Sequence, residues 1–300
     1  MGVRTNLDMD VLRTFVTGFE LGSFARAAER LGRSQSAVST QLRRLEEQVG
    51  QQLVRKSGRG LGLTTAGENL LSYARRVLEL NDEAVESVRG AGVEGWARLG
   101  LPQDFAEGWL PAVLRRFSRA HPRVRIEVQV DRSVPLVGKT VAGELDLALV
   151  WGDGGDAPHA ERIADVPIRW IGAADWPGVA RLGGEPLAFA AFSPPCAFRS
   201  AAVDALDAAG LPWRLAFTSP SLSGLWAAAE GGLGVTARAS FGMPGALVVL
   251  DPAESGLPAL PSVPLTLHRA EAEPAPAVRL LTDILLDALR SDSGFEAALA

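Results

Sequence analysis

The first fifty positions repeat apolar residues at helical spacing. Leu12, Phe15, Val16 and Phe19 make one stripe at i, i+3, i+4 and i+7; Phe24, Ala27, Ala28 and Leu31 make a second, and Val38, Leu42, Leu45 and Val49 a third. Gly22-Ser23 and Gly32-Arg33-Ser34 separate the stripes, with Ser23 and Ser34 placed as N-caps. The pattern predicts three short helices, the last two joined by a tight glycine-containing turn, which is the layout of a helix-turn-helix. Positions 53–56 and 60–64, separated by Ser57-Gly58-Arg59, then read as a short hairpin with a basic tip, a wing beside the helices. Thr65-Ala66-Gly67-Glu68 has the spacing of a capping box and predicts a fourth helix starting at Thr65.

That fourth helix runs long. Leu70, Ala74, Val77, Asn81, Ala84 and Val88 step by fours and threes as a coiled-coil seam does, and Leu71, Leu78 and Val85 widen the stripe. Asn81 on the seam would fix register at some cost in stability. The helix is a candidate dimer interface, the alternative being a helix packed on its own domain. After Arg89-Gly90-Ala91-Gly92, which reads as a flexible hinge, strands and helices alternate. Strands are expected at 97–101, 124–130, 145–150, 168–172, 187–192, 214–218, 234–236, 246–250 and 265–268, with helices at 105–120, 134–142, 198–209, 222–230 and 278–290. Such alternation argues for parallel α/β units, and so many strands divide more readily into two lobes than into one sheet. The expected organisation is a winged helix-turn-helix over 1–64, a linker and dimerisation helix over 65–91, and a two-lobed α/β domain over 92–300. Its first lobe takes about 95–165 plus 265–300, and its second about 166–264.

Charge sharpens this division. The 300 residues carry a net charge of −5, with 47% hydrophobic and 22% charged residues, values of a folded globular chain. The first 64 residues sum to +4 and the rest to −9, a basic head on an acidic body. A single cysteine, Cys196, excludes an internal disulfide framework and any clustered-cysteine metal site, and three scattered histidines make another metal site unexpected. Trp151, Trp170, Trp176 and Trp213 are read as core or lobe-interface residues, and Cys196 as a small buried hydrophobe. There is no signal-peptide core and no run of 18 apolar residues, so a cytoplasmic protein with no membrane partner is expected. No glycine-rich phosphate loop and no G-x-S-x-G elbow are present, and neither an enzyme nor a cofactor is expected.

The chemistry of the head lies in its third helix. Turning about 100° per residue from the buried Val38, the outward positions are Ser36, Thr40, Arg43 and Glu47, flanked by Gln35, Ser39 and Arg44. Ser34, Gln35 and Ser36 open the helix and would meet base edges first, Gln being able to bond adenine in two places. Arg43, Arg44, Arg55, Lys56 and Arg59 suit phosphate neutralisation, which sets affinity and register. Double-stranded DNA is the expected partner. The competing reading is a small-molecule binding protein whose helical head only oligomerises and has no DNA role; it leaves the +4 head and the wing without a purpose.

Leu12-Arg13-Thr14-Phe15-Val16, Gly22-Ser23-Phe24-Ala25-Arg26-Ala27-Ala28, Ser34-Gln35-Ser36-Ala37-Val38-Ser39, Leu42-Arg43-Arg44-Leu45-Glu46 and Leu63-Thr64-Thr65-Ala66-Gly67-Glu68 together resemble the LysR-type transcriptional regulators. Gly108-Trp109-Leu110-Pro111, Pro195-Cys196-Ala197-Phe198-Arg199 and Phe217-Thr218-Ser219-Pro220-Ser221-Leu222 resemble the HexA/LrhA branch of that family. Many members carry Arg where this chain has Thr40, so target sequence does not carry over. The resemblance implies a homodimer or homotetramer on promoter DNA, RNA polymerase as a further candidate partner, and an effector-binding body similar to periplasmic binding proteins. A small-molecule effector would sit between the lobes, where helix N-termini meet strand ends. Gln103, Asp104, Ser133, Phe192, Cys196, Ser219, Ser221 and Thr236 fall at those junctions, with the two serines before the helix at 222 as the best anchors. The charge of Asp104 argues against a simple carboxylate ligand in that half.

Overall fold

Asp8, Ser23 and Ser34 accept hydrogen bonds from the amides of Asp10, Arg26 and Ala37, and thereby start α1 (Met9–Glu20), α2 (Phe24–Arg30) and α3 (Gln35–Val49). The computed structural model describes residues 6–57, 60–89, 92–153, 155 and 157–299, and the chain divides into two units, Met1–Ala91 and Gly92–Ala300. In the first unit α1 and α2 approach closely because Gly18 has no side chain; a Cβ there would lie 2.0 Å from Phe24 Cε1. Val11, Leu12, Phe15 and Val16 of α1 join Leu45 of α3 in one core with Leu53 and Leu63, each such side chain contributing about 1.5–3 kcal/mol on burial. Phe19, expected on the same stripe, is exposed.

The hairpin pairs β1 (Val54–Ser57) with β2 (Gly60–Leu63), Val54 opposite Leu63. Glu46 near the end of α3 accepts from the amides of Leu53 (2.8 Å) and Val54 (3.3 Å), which fastens the wing to that helix. The tip, with Arg59, and the Lys56 side chain lie outside the described residues, as do Gly90 and Ala91 of the expected hinge.

The cap of α4 (Thr65–Arg89) is Thr64 and not Thr65: Thr64 Oγ1 accepts from the Gly67 amide at 3.0 Å. Thr65 already lies in the helix, so the expected capping box does not form. The seam also turns. Leu71, Ala74 and Leu78 are buried in the unit's own core. The exposed stripe consists of Tyr73, Val77, Leu80, Ala84 and Val88, with Leu80 66% and Val88 78% exposed. Asn81 donates to Asp82 Oδ1 (3.0 Å), and Asp82 in turn pairs with Arg13 (2.6 Å).

The second unit begins with β3 (Gly95–Leu101), α5 (Gln103–Ala106), α6 (Leu110–Ala120), β4 (Val124–Val130), α7 (Ser133–Val141), β5 (Leu147–Trp151) and β6 (Ala160–Pro167). The expected helix over 105–120 is broken around Gly108-Trp109, and α6 restarts with Pro111 in its first turn, where a missing N–H costs nothing. The chain then forms β7 (Arg169–Ala173), β8 (Leu187–Phe192), α8 (Ala197–Ala208), β9 (Trp213–Ser219), α9 (Leu222–Glu230), β10 (Thr236–Arg238), β11 (Leu247–Val249) and α10 (Pro252–Ser255). It returns to the first sheet through β12 (Ser262–Arg269) and ends in α11 (Pro276–Ser291) and α12 (Ser293–Leu299).

The first lobe's sheet has the order β4-β3-β5-β12-β6. It is mixed rather than purely parallel: β3 runs parallel to β4 and β5, while β12 is antiparallel to β5 and β6. β6 was not expected, because Glu161, Arg162 and Asp165 give an edge strand without apolar alternation. The second lobe holds the antiparallel trio β10-β7-β11 and the parallel pair β8-β9. His268 in β12 is buried, and neither ring nitrogen has a hydrogen-bond partner among the described residues. Among those residues no helix is long and apolar enough to cross a membrane.

Candidate functional site

In the first unit the structure places Ser34, Gln35, Ser36, Ser39, Thr40, Arg43 and Arg44 on the exposed face of α3. Several of their polar groups are already engaged within the helix. Ser34 Oγ accepts from the Ala37 amide and lies 3.0 Å from Ser36 Oγ; the Ser39 and Thr40 hydroxyls donate to the carbonyls of Gln35 and Ser36, both at 2.9 Å. Gln35 makes no side-chain hydrogen bond among the described residues, so both ends of its amide are free to read a base edge. Arg43 and Arg44 form no ion pair there, whereas Arg33 is held by Asp10 (2.8 Å) and Arg75 by Glu20 (3.0 Å). In the wing Arg55 donates from Nε to the Leu63 carbonyl at 2.9 Å, which fixes the direction of its guanidinium. A polar helix face flanked by cations without counter-ions can neutralise phosphates and address bases in a groove.

In the second unit a cavity of about 690 Å³ lies between the lobes. Gln103, Asp104, Ser133, Phe192 and Cys196 line it. Ser219, Ser221 and Thr236 do not. Ser219 is buried, its hydroxyl accepting from the Ser221 amide (3.0 Å). Ser221 is the N-cap of α9 and meets Ser223 Oγ at 2.8 Å, and Thr236 is buried at the start of β10. The two serines expected to anchor a ligand are therefore spent on turning the chain.

Asp104 does not repel an anion as expected, because Arg238 neutralises it. The two side chains are 2% and 3% exposed and form an ion pair across the lobes, and Asp104 also accepts from Trp151 Nε1 at 3.0 Å. The Arg238 guanidinium carbon lies 4.1 Å from the ring centre of Phe198 and 4.8 Å from that of Phe192, a cation between two aromatic faces. Trp151, read from sequence as core, stacks on Phe105 at 5.4 Å and also forms cavity wall. Cys196 is half-buried on the wall, at the N-cap position of α8. Further contacts join the lobes: the Leu222 amide donates to Gln103 Oε1, and Arg132 donates to the carbonyls of Ser193 (3.4 Å) and Pro194 (3.3 Å). Sequence reasoning missed Arg132 and Arg238. The first sits one residue before a predicted junction, and only tertiary pairing makes the second visible.

Comparison with known proteins covers both units. Residues 90–290 match the family model described as LysR substrate binding domain, and residues 9–68 the one described as bacterial regulatory helix-turn-helix protein, lysR family. The chain is 37% identical over 264 residues to the HTH-type transcriptional regulator PecT of Dickeya dadantii, covering 88% of this chain and 82% of that one. It is 36% identical to the HTH-type transcriptional regulator DgdR of Burkholderia cepacia, with 90% of each covered. Among solved structures, CrgA, a LysR-type transcriptional regulator from Neisseria meningitidis, aligns with a TM-score of 0.54 at 24% identity, over 95% of this chain and 99% of that one. These matches do not reach the HexA/LrhA branch.

Proposed function

The chain belongs to the LysR family of DNA-binding transcriptional regulators, with a helix-turn-helix and an effector-binding domain. From that premise we propose how its surfaces divide the work. Residues 1–64 hold DNA, 65–91 hold a second copy, and 92–300 hold the effector. Gln35 reads a base edge at the start of α3, Ser34, Ser36, Ser39 and Thr40 complete the contact face, and Arg43, Arg44, Arg55, Lys56 and Arg59 neutralise phosphates. The observation that carries this is the exposed outer face of α3, with Arg43 and Arg44 outside every ion pair among the described residues.

The apolar stripe from Tyr73 to Val88 supports pairing of two copies along α4, since an exposed row of large apolar side chains on a helix marks an interaction surface. A homotetramer assembled through the lobes, contact with RNA polymerase, a cytoplasmic location, membership of the HexA/LrhA branch and the absence of any enzymatic activity belong to the same reading. A small molecule in the inter-lobe cavity would change how the dimers are spaced on the promoter. The test is a gel shift at low salt with DNA from upstream of the chain's own gene. Retardation that strengthens as salt falls is expected; no retardation of that or any neighbouring promoter would overturn the assignment of α3.

A further inference from the structure

The wall of the inter-lobe cavity contains four charged side chains, and their contacts leave one charge over. Asp104 and Arg238 close on each other. Asp131 has Lys139 Nζ at 3.6 Å. The Arg132 guanidinium meets only the carbonyl oxygens of Ser193 and Pro194, at 3.4 and 3.3 Å, and has no carboxylate partner among the described residues, while the Arg132 backbone amide donates to Asp131 Oδ1 at 2.8 Å. A guanidinium whose partners are all neutral carbonyl oxygens remains able to take up an anion by charge-assisted hydrogen bonds.

Three further donors share that wall. α7 and α8, nine and twelve residues long, both begin on it, one from each lobe, and neither has a side-chain cap: Arg132 and Cys196 occupy the cap positions without bonding the first turn. The Ser133 hydroxyl, placed where it could help, instead accepts from the Trp151 amide at 2.9 Å. The amides of Ser133 and Val134 in α7, where Pro135 has none, and the first-turn amides of α8 are thus without a side-chain cap and carry the positive end of the helix dipole. Arg238 adds an Nε–H that is fully buried on the same wall and has no acceptor among the described residues. Leaving such a donor unmet costs about 1–3 kcal/mol, so a ligand that supplies an acceptor gains by it.

The remaining wall is apolar, with Val130, Val134, Val137, Phe192, Phe198 and Pro220 its main contributors. An inorganic anion would leave this surface uncovered, and a neutral apolar molecule would leave Arg132 unneutralised. We propose that the cavity binds an amphipathic organic anion, an aromatic or branched apolar body bearing a single carboxylate, with the carboxylate at Arg132 and the uncapped turns of α7 and α8. The inference rests on the reading of this cavity as the effector site and adds the chemical class of its occupant. Arg132 belongs to one lobe and its carbonyl partners to the other, so an anion that engages it acts on the contact joining the lobes.

Three probes separate the parts of this proposal: 4-phenylbutyrate, its neutral isostere 4-phenylbutanamide, and acetate. Binding is followed on the full-length protein by tryptophan fluorescence, Trp151 lying in the wall, and by Tm. The acid is expected to bind in the millimolar range or tighter, the amide at least about tenfold more weakly, and acetate not measurably. Arg132→Gln should equalise acid and amide, and Arg132→Lys should restore the preference. Equal binding of acid and amide to the wild type would overturn the anion class while leaving the cavity as a ligand site. No binding of either phenyl compound, or binding that a Val134→Trp variant leaves unchanged, would overturn the cavity reading as well.

Discussion

Replacing Arg238 with methionine would strip Asp104 of its counter-ion and leave a sealed carboxylate with one hydrogen bond, from Trp151 Nε1. A solvent-exposed ion pair contributes about 0–1 kcal/mol, but removing one partner from a buried pair costs about 3–5 kcal/mol, because the survivor remains charged in a poorly polarisable surrounding. Methionine retains an apolar stem against Phe192 and Phe198, so the packing loss is the smaller part. Since Asp104 keeps one donor and borders a cavity that admits water, the low end applies, about 3 kcal/mol. With a urea dependence of about 2 kcal/mol per molar, the unfolding midpoint should fall by about 1.5 M. All seven tryptophans lie between Trp96 and Trp226, so fluorescence of the full-length protein reports this unit and not the head. The Asp104→Asn, Arg238→Met double variant, with no buried charge left, should recover most of the loss. A midpoint shift below about 0.5 M for Arg238→Met, or a double variant as unstable as the sum of the singles, would refute the account of the pair as two mutually dependent buried charges.

Other consequences test other parts of the molecule. Burial holds the His268 imidazole below its ordinary value of 6.5, so the folded state resists protonation; its contribution to stability is complete above that value and is lost as pH falls below it. Urea midpoints read by tryptophan fluorescence should therefore drop as pH falls below about 6.5 in the wild type, and drop less in His268→Leu. Gly67→Ala forces a Cβ to 2.0 Å from the Leu53 carbonyl oxygen, a backbone atom that cannot yield cheaply, and should lower the far-UV melting transition of the head by an equivalent of about 1–3 kcal/mol. Gln35→Ala should weaken specific promoter sites by about 1–3 kcal/mol more than random DNA in competitive gel shifts, whereas Arg43→Ala should weaken both alike and reduce the salt slope by about one.

Where a local rule acts alone, the chain is legible. Ser23 and Ser34 cap helices because a hydroxyl beside a free amide needs no tertiary partner, and the outward face of α3 follows from Val38 by rotation alone. The errors begin where two rules compete for one position. Thr64 and Thr65 both suit a cap, and the choice falls to Thr64 because its hydroxyl also donates to the Gln52 carbonyl (2.6 Å), a contact twelve residues away. Leu71 and Leu78 belong to the same apolar stripe as Val85, yet the first two are taken by α1, so the free face of α4 shifts toward Tyr73 and Leu80. β6 owes its existence to β12, about a hundred residues later, and nothing in its own polar pattern announces it. The cavity shows the limit most sharply. A junction rule finds Gln103, Asp104, Ser133, Phe192 and Cys196 from strand ends, but it treats Asp104 as an isolated charge. Arg238 is 134 positions away in the chain, and only the closing of one lobe on the other joins them. A carboxylate that repels an anion in isolation and one already neutralised imply opposite ligands, so the sign of the site is a property of the fold and not of any segment.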